Sequence, residues 1–63
     1  MFQENLRLKR RERGLSQEEL ASRLHVVRQT ISKWEKGRSH PDIVSVFKMS
    51  DLYSVSLDYL LKD

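Results

Sequence analysis

Hydrophobic residues recur every three or four positions along this chain and nowhere alternate with polar ones for long enough to form a strand. Glycine, proline and serine interrupt this pattern and divide the chain into about five helical segments. The first predicted helix runs from Phe2 to Arg13, and Gly14 ends it with the left-handed residue that often follows a helix. The sequence therefore predicts an all-α fold.

The second predicted helix has a strong start signal. Ser16 and Glu19 have the spacing of a capping box, in which each side chain accepts a hydrogen bond from a free backbone N–H. Gln17 is predicted to point away from the core, and the helix is expected to end near His25. The predicted buried face consists of Leu20, Ala21 and Leu24.

The third predicted helix has two contrasting faces. Ile31 and Trp34 lie three residues apart and are expected to pack in the core, which favours packing over base stacking for the tryptophan. Val26 or Val27 is expected to join them at the helix start, and Gly37 ends the helix. Hydrophilic residues on the opposite face have the spacing of a single stripe. This polar stripe consists of Arg28, Gln29, Ser32, Lys33 and Lys36.

Two further helices are predicted after the loop that follows. Pro41 suits a first helical position, where its missing N–H costs nothing, and Asp42 adds favourable charge to the positive helix end. Ser56 is expected to cap the last helix. The predicted inner side of the fourth helix, about 42–53, consists of Ile43, Val46, Phe47, Ser50 and Leu52 or Tyr53. The residues expected to close the core from the last helix are Leu57, Leu60 and Leu61.

Charge is distributed unevenly along the chain, whose formal net charge is +3. Residues 1–38 contain ten Lys or Arg and five Asp or Glu, whereas residues 39–63 contain two Lys and four Asp. The positive field therefore lies on the segment that holds the second and third predicted helices, which suits a polyanionic partner. The charge distribution alone is explained equally well by a small domain whose basic residues serve only to keep it soluble.

The composition argues against several classes of protein. The chain has no cysteine, and therefore neither a disulfide nor a thiolate metal site. His25 and His40 lie in separate predicted turns without ligands at metal spacing. No nucleophile has a paired base, and no apolar run approaches the ~20 residues that span a bilayer. We therefore expect no cofactor, no metal, no catalytic activity, no membrane contact and a cytoplasmic location.

Several segments resemble the Cro and phage-repressor-like helix-turn-helix DNA-binding domains, also called the xenobiotic-response-element type. The resemblance covers nearly the whole chain, and it implies a compact, lambda-repressor-like bundle of five helices with the helix-turn-helix formed by helices 2 and 3. We expect one DNA-binding domain over residues 1–63, either complete or the N-terminal part of a longer regulator with an effector domain. The matching segments are LSQEELA at 15–21, RQTISKWE at 28–35, Gly37, PDI at 41–43 and VSLD at 55–58.

The resemblance also implies roles for individual residues. Arg10 and Glu35 match an internal ion pair, which would keep both side chains away from DNA. The residues implied to face base edges, where Arg or Lys suits guanine and Gln suits adenine, are Arg28, Gln29, Ser32 and Lys33. The residues implied to contact phosphates are Ser16, Gln17, Thr30, Lys36 and Arg38, with Arg13 or Lys9 as further neighbours.

Two residues depart from the family pattern. His25 stands where glycine is usual in the turn, and a non-glycine residue with positive φ is strained, although histidine tolerates it better than most. Val27 stands where Ser or Thr commonly caps the recognition helix. Because valine cannot cap, this helix start is expected to be weaker by roughly 1 kcal/mol.

The leading hypothesis is a sequence-specific transcriptional regulator, a repressor, that binds a palindromic operator as a homodimer with half-sites about 34 Å apart. We expect a bacterial or phage protein that lies in the cytoplasm and is associated with the nucleoid. The alternative is an antitoxin-like or regulatory module that uses the same fold to hold another protein. The sequence leaves open whether the remaining apolar residues form a dimer contact or complete the core; they are Val44, Met49 and Leu61.

Overall fold

The computed structural model describes residues 2–61, and within that range it contains helices and no strand. The all-α prediction is confirmed. α1 packs against α3 and α5, α2 against α3 and α4, and α4 against α5. No helix among the described residues is long and apolar enough to cross a membrane. The helices are α1 (Phe2–Glu12), α2 (Gln17–Leu24), α3 (Arg28–Glu35), α4 (Ile43–Tyr53) and α5 (Leu57–Leu61).

The core is formed by the apolar faces of all five helices. Val26 packs against it, whereas Val27 is 64% exposed, so the first valine joins the core at the start of α3. Of Leu52 and Tyr53, which were alternatives for the inner side of α4, Tyr53 is the buried one, and burial raises the pKa of its hydroxyl to about 12. The buried apolar residues are Leu6, Leu20, Ala21, Leu24, Ile31, Trp34, Val46, Met49, Tyr53 and Leu60.

The inner face of α4 differs from the prediction. Ile43 and Phe47 were expected in the core but are 58% and 54% exposed, while Met49 is fully buried. Apolar residues occupy nearly the whole circumference of this helix, so their spacing alone could not select the buried side. Leu61 was also expected to close the core and is 52% exposed, whereas Leu60, which was expected there as well, is fully buried.

The start of α4 lies one step later than predicted. Asp42 is the N-cap, and its Oδ1 accepts a hydrogen bond from the backbone N–H of Ser45 at 3.2 Å. Pro41 therefore precedes the cap and does not occupy the first helical position. The hydrogen bonds with Ser45 lower the pKa of the Asp42 carboxyl, so its charge is retained at the positive helix end.

Four of the helices end in the same way. A left-handed residue follows each of them, with φ between 55° and 72°, and the next backbone N–H bonds back into the last turn. His25 adopts this conformation after α2 with a φ of 59°, as its position in the turn predicts. The sharp reversal directs the chain immediately into α3. The four left-handed residues are Gly14, His25, Gly37 and Ser54.

Candidate nucleic-acid interface

The polar stripe of α3 lies on the molecular surface. Its five residues and Arg38 line one shallow, open depression, which therefore carries four cationic side chains and no carboxylate among its lining residues. Arg28, Gln29, Lys33 and Lys36 are exposed, and Ser32 is half-buried. Thr30 is half-buried on the same helix.

The buried face of α3 determines which side chains reach the depression. Ile31 and Trp34 pack in the core, so the stripe on the opposite side of the helix points outward. Gly37 then adopts a φ of 72°, and the backbone N–H of Arg38 donates to the carbonyl oxygen of Lys33 at 2.9 Å. This turn returns Arg38 to the last turn of α3, where it adds a positive charge to the stripe.

Arg10 and Glu35 form an ion pair behind this surface. The Arg10 Nε donates to Glu35 Oε2 at 2.7 Å and its Nη2 donates to Glu35 Oε1 at 3.1 Å, while Nη1 donates to the carbonyl oxygen of Leu15 at 2.9 Å. Each residue is 8% exposed. The hydrogen bond with Glu35 raises the pKa of the Arg10 guanidinium, against the opposing effect of burial. The pair joins α1 to α3 and withdraws both side chains from the surface.

Gln17 occupies a different environment from the one that periodicity indicates. It was predicted to point away from the core, yet it is half-buried at the first residue of α2. Its Nε2 donates to Glu35 Oε1 at 3.1 Å, and its Oε1 accepts from Arg28 Nη1 at 3.2 Å. Helical spacing could not reveal these contacts, because they join residues 18 and 11 positions apart.

The remaining candidates for phosphate contact lie outside the depression. The Ser16 hydroxyl accepts a hydrogen bond from the backbone N–H of Glu19 at 3.0 Å, which is its capping role. Arg13 Nη2 donates to the carbonyl oxygen of Tyr53 at 2.7 Å. Lys9 Nζ lies 3.0 Å from Glu12 Oε1 and 4.9 Å from the centre of the Tyr59 ring. Lys9 and Arg13 are therefore engaged with α1, α4 and α5.

The chemistry available in the depression is hydrogen bonding and charge. Among residues 2–61, no three His, Asp or Glu side chains converge as metal ligands. The guanidinium of Arg28 and the amide of Gln29 are groups that can pair with two atoms of one base edge. The ammonium groups of Lys33 and Lys36 suit base acceptors and phosphate oxygens.

Comparison with known proteins places this geometry in a family. A helix-turn-helix family model matches residues 6–60. The chain is 43% identical over 60 residues to the HTH-type transcriptional activator BcrR of Enterococcus faecalis, covering 95% of this chain and 29% of that protein. It is 36% identical over 63 residues to the cryptic phage CTXphi transcriptional repressor RstR of Vibrio cholerae, covering 100% of this chain and 57% of that protein. The chain thus spans only part of the length of both relatives.

A solved structure gives the same assignment. The P22 c2 repressor protein, in complex with the synthetic operator 9T, matches with a TM-score of 0.91 and 29% sequence identity. The match covers 98% of this chain and 94% of that one. It includes α2, the turn at His25 and α3. The chain belongs to the Cro and phage-repressor-like helix-turn-helix family.

Proposed function

We propose that this chain is the DNA-binding domain of a sequence-specific transcriptional repressor that inserts α3 into the major groove of a double-stranded operator. The observation that carries the proposal is the depression on α3, in which hydrogen-bonding side chains and four cations meet without a carboxylate. A helix in the major groove contacts base edges with residues near its N-terminal end. Arg28 and Gln29 occupy that end of α3.

The exposed residues divide into two roles under this proposal. Those along the outward edge of α3 contact bases, and the flanking ones contact phosphates, which fix position but carry no sequence information. The proposed base contacts are Arg28, Gln29, Ser32 and Lys33. The proposed phosphate contacts are Ser16, Gln17, Thr30, Lys36 and Arg38.

The proposal extends to a homodimer on two half-sites about 34 Å apart, acting on nucleoid DNA in the cytoplasm. Ile43, Val44 and Phe47 support it, because all three are more than half exposed and share one side of α4. Apolar side chains grouped in this way are candidates for a contact between two copies. Met49 is excluded from that contact by its complete burial.

Gln29→Ala and Lys36→Ala test the division of roles. A duplex is first selected from a random pool, and each variant is then titrated with it and with a scrambled duplex. Gln29→Ala is expected to lower the preference for the selected duplex by about tenfold, the value of one paired base contact. Lys36→Ala is expected to weaken both duplexes alike and to reduce the salt slope by about 1.

Lys48→Ala is the matched control, because it removes an exposed cation of α4 that does not line the depression. It is expected to change binding less than Lys36→Ala. If neither Gln29→Ala nor Lys36→Ala changes binding, the assignment of roles is wrong.

Sedimentation of Phe47→Glu with a palindromic duplex tests the proposed homodimer. The wild type is expected to bind the duplex as two copies and the variant as one.

A further inference from the structure

Arg28 is connected to the protein core by a continuous series of side-chain hydrogen bonds. Arg28 Nη1 donates to Gln17 Oε1 at 3.2 Å, and Gln17 Nε2 donates to Glu35 Oε1 at 3.1 Å. Glu35 in turn accepts two hydrogen bonds from Arg10. Exposure decreases along the series, from exposed Arg28 through half-buried Gln17 to buried Glu35. An exposed side chain at the interface is thus held from inside the molecule.

The chemistry of the buried pair fixes the direction of these bonds. An ionised carboxylate only accepts hydrogen bonds, so the Gln17 amide must turn its NH₂ group toward Glu35. Its carbonyl oxygen then faces outward, where only a donor can pair with it. Arg28 is such a donor, and using one of its five N–H groups leaves others for a guanine edge.

We infer that the buried Arg10–Glu35 pair, acting through Gln17, holds Arg28 in position and thereby sets the base preference at the base pair that Arg28 contacts. The inference rests on the proposed function. Under this inference, Arg10, Glu35 and Gln17 are positioning residues for Arg28. Arg10 has this role although it lies on α1 and is buried. A flexible arginine samples many conformations, whereas one held at its guanidinium is already oriented for paired contacts.

The test replaces the buried pair without leaving a lone charge in the core. Arg10→Met combined with Glu35→Leu removes both charges and supplies apolar side chains of similar size, an exchange that buried ion pairs often tolerate. The matched control is Glu4→Leu combined with Arg7→Met, which removes one exposed charge of each sign from the same helix as Arg10 and leaves net charge unchanged. Binding of each variant to a library covering every single-base change in the selected operator is then measured.

The double replacement in the core is expected to lower base preference by about tenfold at the Arg28 base pair only. Preference at the base pair contacted by Gln29 is expected to persist, and the control is expected to match the wild type. Uniform weakening across all positions, unchanged preference, or the same loss in the control would each overturn the inference. The proposed function would survive those outcomes, and it fails instead if the wild type shows no preference among duplexes.

Gln17→Ala provides a second route that leaves the buried pair intact. It is expected to cause the same loss of base preference at the Arg28 base pair, together with a uniform weakening of all duplexes from its proposed phosphate contact. Neither it nor the core replacement is expected to lower base preference further in an Arg28→Ala background. A residue that only contacts phosphate would weaken all duplexes equally and leave base preference unchanged. An unchanged base preference in Gln17→Ala, or losses of base preference that add to that of Arg28→Ala, therefore overturns the inference. In the free protein, the side-chain amide resonances of Gln17 are expected to shift in the core variant and not in the control.

Discussion

The two helices of the helix-turn-helix have the same length of eight residues but are held in different ways. α2 is fixed at its start by its own sequence, through reciprocal hydrogen bonds between Ser16 and Glu19. α3 has Val27 at its N-cap position and therefore no side-chain cap, and its opposite end is anchored by buried Glu35. Local chemistry thus stabilises the supporting helix, whereas tertiary contacts stabilise the one that carries the polar stripe. The buried face of α3 stabilises the fold, and its opposite face carries the polar stripe that we propose for recognition.

Glu35→Ala is expected to have the largest effect, because it removes the tertiary anchor of α3 and leaves Arg10 buried without its partner. We expect the free energy of unfolding to fall by about 3–5 kcal/mol, measured by urea denaturation. Adding Arg10→Met should recover much of that loss. A loss below about 1 kcal/mol would show that α3 does not depend on this pair.

Ser16→Ala tests the local anchor of α2 and is expected to cost about 1 kcal/mol, because a backbone N–H loses its acceptor. Ser22→Ala is the matched control at an exposed position inside the same helix. It is expected to be neutral or slightly stabilising, since alanine is the better helix former. Equal losses in both variants would contradict a special role for the cap.

Val27→Ser would supply α3 with the cap it lacks and so reduce the difference between the helices. We expect a gain of about 0.5 kcal/mol, because the hydroxyl can accept a backbone N–H while the exposed valine contributes little packing. Thermal denaturation measures the change. Val27→Ala is the control without a hydroxyl, and an equal gain there would attribute the effect to the loss of valine.

Acid should weaken the start of α2 by a smaller amount. Hydrogen bonds from Ser16 lower the pKa of the Glu19 carboxyl below its ordinary value of 4.5. A depressed pKa in the folded state stabilises the fold above the unfolded pKa, and this contribution is lost as pH falls through the folded value. The difference in melting temperature between wild type and Glu19→Gln should be constant above about pH 5 and narrow below pH 4.5. A constant difference down to pH 2 would contradict this account.

The helix caps and turns, which depend on residues close together in the sequence, were the features of the fold that could be predicted. The capping box at Ser16 and the strained turn at His25 depend on residues within one helical turn, and both predictions are confirmed. The buried side of α4 could not be predicted, since Ile43 and Phe47 are as apolar as the residues that pack inside. Hydropathy measures a residue's preference for an apolar environment, while the position of neighbouring helices determines whether it is buried.

The candidate site also combines a feature that could be predicted from one helix with contacts between helices that could not. Helical spacing was sufficient to group the polar stripe on one face, because that grouping follows from the geometry of a single helix. The contact of Gln17 with Glu35 and Arg28 depends on how α2 and α3 pack, and no spacing within either helix encodes it. Which stripe residues contact bases and which contact phosphates stays a prediction.

The Arg10–Glu35 pair has a consequence for protein engineering. Moving residues 28–38 into another scaffold would transfer the outward-facing side chains of α3. It would also transfer Glu35. It would leave behind Arg10 and Gln17, which belong to α1 and α2. A graft of this helix alone would place a carboxylate in a foreign interior without its guanidinium, so residues 10, 17 and 28–38 form the smallest set that should be transplanted together.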